Sequence, residues 1–174
     1  MKIGLTAFII SLLIVSTSYS QQSVTSLVKS QAMEMAKAMV KGDTRNFSKY
    51  MLPELVEAGG GANKVNLMMD SMFAVFKSFG GSVNRITYGN PGKIVSFKKE
   101  LQTTLPQTTE VTSPFGDVVL SSTLVAISRD NGKNLYFYDT SLGRAEQLKN
   151  KLPNLSPDLV VPPPEKPKFT PKAQ

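Results

Sequence analysis

Residues 116–141 read GDVVLSSTLVAISRDNGKNLYFYDTS, and this stretch decides the fold. Two runs rich in β-branched and aromatic residues flank Asn131 and Gly132, and both positions of such a two-residue turn adopt positive φ. Ser128 and Asp130 lie just before the turn, where short polar side chains bond the local backbone, so we assign both a structural role. The stretch therefore predicts a β-hairpin that turns at Asn131.

The pairing that follows from this turn divides the hairpin side chains into two sets, because successive side chains of a strand point to opposite faces. One face carries Val125, Ile127, Tyr136 and Tyr138, with Ile127 opposite Tyr136 and Val125 opposite Tyr138. The other face carries Leu124, Ala126, Leu135 and Phe137, and it ends with Asp139. Both faces are largely apolar, which predicts a central position in a sheet that a helix covers on at least one side.

The composition limits the classes of function. The chain has 174 residues, contains neither cysteine nor histidine, and carries a net charge of +7. Without cysteine it forms no disulfide and no thiolate metal site, and without histidine it lacks the commonest general base and metal ligand. Its basic residues form no cluster interleaved with aromatic ones, so we predict no nucleic-acid partner. No cofactor is predicted either.

The first 20 residues are typical of a secretory signal peptide. Lys2 gives a positive start, residues 3–15 form an apolar run too short to span a bilayer, and small residues precede a cleavage point near Ser20 and Gln21. We therefore predict an exported protein, periplasmic or secreted, with no stable membrane span after cleavage. Residues 21–150 then form a single domain, and the proline- and lysine-rich residues 151–174 form a disordered tail.

Helical segments precede the strands. Apolar residues at helical spacing predict a helix over residues 24–41, a brief one over 44–51 after the N-cap Asp43, and another that begins at Pro53. A glycine joint at residues 59–61 leads to a second long helix over residues 62–79. We expect its apolar stripe to pack on the sheet; the alternative is a wall that faces a ligand, since methionine fills irregular space. The stripe consists of Val65, Met68, Met69, Met72, Phe73, Phe76 and Phe79.

A period of two begins at residue 82 and indicates strands over residues 83–88, 93–99, 101–105 and 108–112. Pro106 separates the last two and predicts an edge position or a bulge, because proline cannot donate a ladder hydrogen bond. A short helix is expected over residues 143–149. The predicted fold class is α+β, with N-terminal helices packed on a curved antiparallel sheet of four to six strands.

The order of these elements resembles the nuclear transport factor 2-like fold, which ketosteroid isomerase and SnoaL-like proteins share. Motifs that look similar to small exported bacterial members are VKGD at residues 40–43 with Phe47, Tyr50 and Pro53, LPQ at 105–107, and YFYD at 136–139. The resemblance covers about residues 26–142 and implies a cone-shaped, cystatin-like roll with a pocket between the long helix and the concave sheet. It also allows a homodimer, since many such proteins pair through the convex side of the sheet.

The function that we expect is a non-enzymatic binding or interaction module. Its partner would be a small apolar ligand or an envelope protein. The pocket residues would be Met69, Met72, Phe76, Tyr136 and Tyr138, which belong to the long helix and the last strand. This expectation depends on the apolar helix stripe, the aromatic last strand and the missing catalytic residue types.

Two alternatives remain. The resemblance implies an enzyme of the isomerase or hydratase kind, with Asp139 or Asp70 as the base and a tyrosine as hydrogen-bond donor. Such an enzyme requires the carboxylate and the tyrosine hydroxyl to meet in one enclosed pocket. The other alternative is that the lysine-rich tail holds the domain to an acidic surface.

Overall fold

The structure, a computed structural model, describes residues 24–142, 148 and 150–172. In this part of the chain four helices precede a six-stranded antiparallel sheet, which confirms the predicted α+β class. The expected signal peptide, its cleavage point and most of the short helix expected over residues 143–149 lie outside the described residues. Residues 148, 150 and 151 are helical.

The helices lie where the apolar periodicity predicted them. They are α1 (residues 24–41), α2 (Thr44–Ser48), α3 (Pro53–Ala58) and α4 (Ala62–Ser78). Asp43 caps α2 because its Oδ1 accepts a hydrogen bond from the backbone N–H of Asn46 (3.1 Å). Pro53 begins α3, where the N–H that proline lacks would have no partner within the helix.

The sheet is built around one long hairpin. Its two strands are β3 (Glu100–Ser113) and β4 (Gly116–Ser128), which pair from Leu101 and Ser128 at one end to Ser113 and Gly116 at the other. Two strands pair with the free edge of β3: β1 (Ser82–Tyr88) and β2 (Val95–Phe97). Two more pair with the free edge of β4: β5 (Tyr136–Asp139) and β6 (Lys168–Pro171). The hairpin predicted at Asn131 is therefore the shorter of two, and its second strand has four residues.

The turn between β4 and β5 has the predicted backbone conformation. Asn131 and Gly132 have φ of 59° and 89°. Ser128 Oγ accepts a hydrogen bond from the Gly132 N–H (2.8 Å), and Asp130 Oδ1 accepts from the N–H groups of Lys133 (3.0 Å) and Asn134 (2.9 Å). The side chains at 128 and 130 thus hold the loop, which is longer than two residues because β5 begins only at Tyr136.

Pro106 lies inside a continuous β3 instead of dividing it. The pairing with β4 shows no register shift there, so the predicted break between residues 105 and 108 is wrong. The Pro106 carbonyl accepts a hydrogen bond from the Gly89 N–H (3.0 Å), and the N and O atoms of one strand residue point to the same side. The missing N–H of Pro106 therefore faces the gap between β1 and β2, where no ladder bond is lost.

Side chains of the central strands form a core on each face of the sheet. Helix α1 covers one face and buries Val28, Ala32 and Met35 against a cluster that includes Leu105, Leu124, Ala126 and Phe137. The other face contributes Val125, Ile127 and Tyr138 to a second cluster with Leu52 and Leu152. The alternation predicted for the hairpin therefore holds, and both of its faces are covered.

Helix α4 does not pack across the sheet as the sequence predicted. It packs on α2 and α3, and Val65 is its buried residue. Three of the seven residues of the apolar stripe are exposed to solvent: Met68, Met72 and Phe79. The expectation is wrong because α1 already occupies the sheet face, where the small side chains of Ala32 and Ala36 allow close approach.

The described C-terminal residues fold back on the domain. Gln102 is 1% exposed and anchors them. Its Nε2 donates to the Asn154 carbonyl (2.7 Å), and its Oε1 accepts from the Ser156 N–H (2.9 Å). Where the sequence predicted a disordered tail, Leu152 is buried in the second core cluster and β6 pairs with β4. The prediction of disorder relied on the proline and lysine content of this segment. The leucines spaced through residues 152–159 nevertheless supply enough apolar area for the segment to pack on the domain.

Candidate ligand-binding cavity

A cavity of about 270 Å³ lies between the helices and the sheet face that α1 covers. Its walls are predominantly apolar. The helical side is formed by Met35, Ala36, Met39, Phe47, Met51 and Leu55, and the sheet side by Val83, Ile86, Val111, Leu120, Leu124 and Phe137. Five residues with polar groups complete the lining: Tyr88, Gln107, Thr109, Tyr138 and Asp139. The volume lies just below the range of about 300–1,000 Å³ for small-molecule sites, and the mostly apolar lining is typical of them.

Strand register brings three of these polar residues together. Tyr88 of β1 pairs with Gln107 of β3, and Leu124 of β4 pairs with Asp139 of β5. Residues that are directly opposite in an antiparallel pair share a face, and so do residues two apart on one strand. Tyr88, Gln107 and Asp139 therefore all point to the side of the sheet that bounds the cavity.

The Asp139 carboxylate is held in place by neutral donors. Its Oδ2 accepts a hydrogen bond from Gln107 Nε2 (2.9 Å), and its Oδ1 accepts from the Ser141 N–H (2.9 Å). Gln107 Nε2 also donates to Ser122 Oγ (3.3 Å), which fixes the amide between two strands. The polar end of the cavity is thus a positioned carboxylate and amide rather than a mobile surface group.

The Tyr88 hydroxyl is the unusual group of the cavity. It is buried, and the described part of the protein supplies no hydrogen-bond partner for it. Burial raises the pKa of Tyr88 well above its ordinary value, and the charge of Asp139 raises it further. The hydroxyl therefore stays protonated and can donate. A buried donor without a partner destabilises the folded protein by about 1–3 kcal/mol. The hydroxyl has essentially no accessible surface, so other atoms of Tyr88 line the cavity.

The two tyrosines that the sequence proposed for the pocket belong mainly to the opposite face. Tyr136 pairs with Ile127 and Tyr138 with Val125, and both pack with the second core cluster. Tyr138 nevertheless contributes to the cavity lining. Its pKa is raised by burial and, secondarily, by Asp139. On this strand it is Phe137 and Asp139 that face the cavity.

The helix residues proposed from the sequence do not join these groups. Met72 is 64% exposed, whereas Met69 and Phe76 are half-buried on α4. Among the described residues that line the cavity, the methionines come from α1 and the segment before α3 instead. Asp70 also lies on α4, where its Oδ1 accepts a hydrogen bond from Thr44 Oγ1 (2.6 Å). Of the two proposed acids, only Asp139 lines the cavity.

Sequence reasoning missed Tyr88 and Gln107. The signal for Tyr88 was its position at the end of a strand with alternating apolar residues, which places it on the same face as Ile86. Gln107 was read only as part of a motif beside Pro106. Their proximity to Asp139 depends on the register of four strands, which a single sequence does not specify.

A metal centre and a membrane-spanning helix are both absent from the described part of the chain. No group of three or more acidic, histidine or cysteine side chains there is placed to hold a metal ion. None of the described helices is long and apolar enough to cross a membrane. No family model matches the chain, and no curated protein or solved structure matches it.

Proposed function

We propose that the protein binds a small, predominantly apolar molecule in the cavity between α1 and the sheet, and does not transform it. One observation carries the proposal: a mostly apolar cavity is lined at the sheet by the Asp139 carboxylate and the Gln107 amide, which hold each other in place. An apolar ligand would contact the walls, and a polar atom of the ligand would form a hydrogen bond with one of these two side chains. We further propose that this binding takes place outside the cytoplasm, as the N-terminal 20 residues suggest.

The cavity-filling variant Ala36→Leu tests the proposal. Ala36 is buried and lines the cavity, so a larger side chain takes up space that the ligand needs. An apolar fluorescent dye should bind the native protein and lose at least about ten-fold in affinity for the variant. Overpacking costs about 1–3 kcal/mol of stability, which urea unfolding measures separately.

Ala74→Leu is the matched control, because it makes the same substitution at an exposed position on α4. The control should bind the dye as the native protein does. Equal dye affinity in native protein and Ala36→Leu would contradict the proposal, since the dye would then lie elsewhere.

A second candidate function is an isomerase or hydratase, and the presence of Asp139 and Tyr88 in one cavity favours it. Asp139 would act as the base, because a carboxylate oxygen that accepts one hydrogen bond keeps a second acceptor position. Tyr88 would have to turn its hydroxyl into the cavity to donate to a carbonyl oxygen of the substrate. Deuterium incorporation into a small cyclic enone in D₂O, lost in Asp139→Asn, would support the enzyme; no incorporation above the uncatalysed rate supports binding alone.

A further inference from the structure

Helix α4 and its C-cap residue carry two apolar stripes, and the domain uses one of them. The inner stripe faces the domain, where α4 packs on α2 and α3, and its residues are buried or partly buried: Val65, Met69, Phe73 and Phe76. The outer stripe lies on the neighbouring side of the helix, and its residues are 55–69% exposed: Met68, Met72, Val75 and Phe79. The described part of the chain therefore leaves the outer stripe largely uncovered.

The outer stripe has the spacing with which one helix packs along another. Its four residues follow one another at intervals of four, three and four, which is the a and d spacing of paired helices. Two small residues flank the stripe: Ser71 Oγ donates to the Leu67 carbonyl (2.9 Å), and Ser78 Oγ donates to the Val75 carbonyl (2.8 Å). A second helix can cover these hydroxyls without leaving a donor unpaired, because each already has its partner within α4.

The exposed area is that of a small specific interface once two copies of the stripe meet. Large apolar side chains each bury about 150–250 Å² when fully covered, so the outer stripe offers on the order of 500 Å². A patch of this size lies at the upper end of what a monomeric protein exposes. Two such stripes bury about 1,000 Å² together, which is the lower limit for a biological interface and predicts a weak, reversible dimer.

The charge of α4 favours a second copy of the protein over a membrane surface. The helix contains two lysines and one aspartate, Lys64, Lys77 and Asp70, for a net charge of +1. Helices that lie on membranes are instead rich in lysine and arginine on their polar face. The outer stripe itself contains no charged residue, so it complements an identical stripe, as the interface of a two-fold dimer requires.

We propose that the protein forms a homodimer in which the outer stripes of α4 from two copies pack against each other about a two-fold axis. This interface differs from pairing through the convex side of the sheet, and it does not depend on the cavity or its ligand. The buried area predicts a Kd of about 10–100 µM, at the weak end of specific association.

Sedimentation velocity of the native protein from about 2 to 500 µM tests the proposal, and it should show a monomer at the lowest concentration and a dimer at the highest. Met72→Glu puts a charge in the middle of the stripe in both copies, so it should weaken dimerisation by about 100-fold or more. Ala74→Glu is the matched control, because it adds the same charge at an exposed position on another side of α4. The control should dimerise as the native protein does. Urea unfolding at about 2 µM, where the native protein is monomeric, shows that both variants are folded.

The outcomes distinguish this interface from the alternatives. A native protein that stays monomeric at every concentration overturns the proposal, and so does a dimer that Met72→Glu leaves intact or that Ala74→Glu disrupts equally. Binding of a monomer to phosphatidylcholine and phosphatidylglycerol vesicles, lost in Met72→Glu, would make a membrane the partner instead. Methyl NMR of the native protein locates the interface: signals of Met68 and Met72 should shift with protein concentration, while those of Met35 and Met51 should not.

Discussion

Replacing Tyr88 by phenylalanine should not destabilise the ligand-free protein and should leave its affinity for ligand unchanged. The buried hydroxyl has no hydrogen-bond partner in the described part of the protein and therefore destabilises the folded state by about 1–3 kcal/mol. Phenylalanine fills the same space without the polar atom. We expect the free energy of unfolding of ligand-free Tyr88→Phe to be unchanged or raised by up to about 2 kcal/mol, whereas a typical substitution lowers it by about 1 kcal/mol.

Ligand binding should not depend on this hydroxyl, because it has essentially no accessible surface through which a molecule in the cavity could reach it. At a concentration of ~100 times its Kd, octanamide, a small amphiphile, should stabilise the native protein and Tyr88→Phe alike by about 2.7 kcal/mol. Urea unfolding with and without octanamide measures both quantities.

Tyr136→Phe is the matched control, because it removes a hydroxyl from a half-buried tyrosine that packs in the second core cluster. Its free energy of unfolding should stay within about 0.5 kcal/mol of the native value, and the effect of octanamide should not change. A loss of more than about 1 kcal/mol in ligand-free Tyr88→Phe would refute the reasoning, because it would show that the hydroxyl already has a partner.

Three further predictions concern the turn, α4 and β6. The backbone N–H of residue 134, with further hydrogen bonds, lowers the pKa of Asp130 to about 2. The ionised carboxylate therefore stabilises the fold at pH values above its ordinary pKa of 3.8, and this stabilisation is lost as the pH falls through about 2. Asp130→Asn should flatten the fall of the free energy of unfolding at acid pH, and an unchanged fall would contradict the role of the carboxylate. Met72→Glu should change the free energy of unfolding by less than about 0.5 kcal/mol and leave ligand affinity unaltered, because the Met72 side chain is exposed. Loss of ligand binding in this variant would instead place α4 over the cavity. Gly116→Ala should release β6, because the added Cβ meets the Thr170 carbonyl. Amide exchange at residues 168–170 should then accelerate, and retained protection there would contradict the close approach.

The turn at Asn131 could be predicted because its determinants are local. Asn131 and Gly132 require positive φ, and this requirement fixes the register that places Ile127 opposite Tyr136. The length of β5 was overestimated because residues 133–135 do not continue the ladder. The N–H groups of residues 133 and 134 donate to the Asp130 side chain, and the Leu135 N–H donates to Gln31 Oε1 on α1.

The partner of α4 could not be predicted from its sequence. Periodicity shows that a helix has an apolar face, but it does not identify the surface that this face meets. Helices α1 and α4 both have such a face. The alanines of α1 allow it to lie closest to the sheet, whereas the bulky Met68, Met72 and Phe79 of α4 remain exposed.

The candidate site could be predicted only in part. Asp139 was recognised as one of two possible acids, and its position at the end of β5 was expected. Tyr88 and Gln107 were not recognised as its neighbours, because the three residues are separated by long stretches of chain and meet through strand pairing. Pro106 illustrates the same difficulty, since the gap that accommodates it exists only once β1 and β2 are both in place.

Methionine methyl NMR with octanamide tests the location of the binding site most directly. The account predicts that the methyl signals of Met35, Met39 and Met51, which line the cavity, shift on titration, while those of Met68 and Met72 on the exposed side of α4 do not. Shifts confined to Met68 and Met72, or no shift at any methionine, would contradict a ligand cavity between α1 and the sheet.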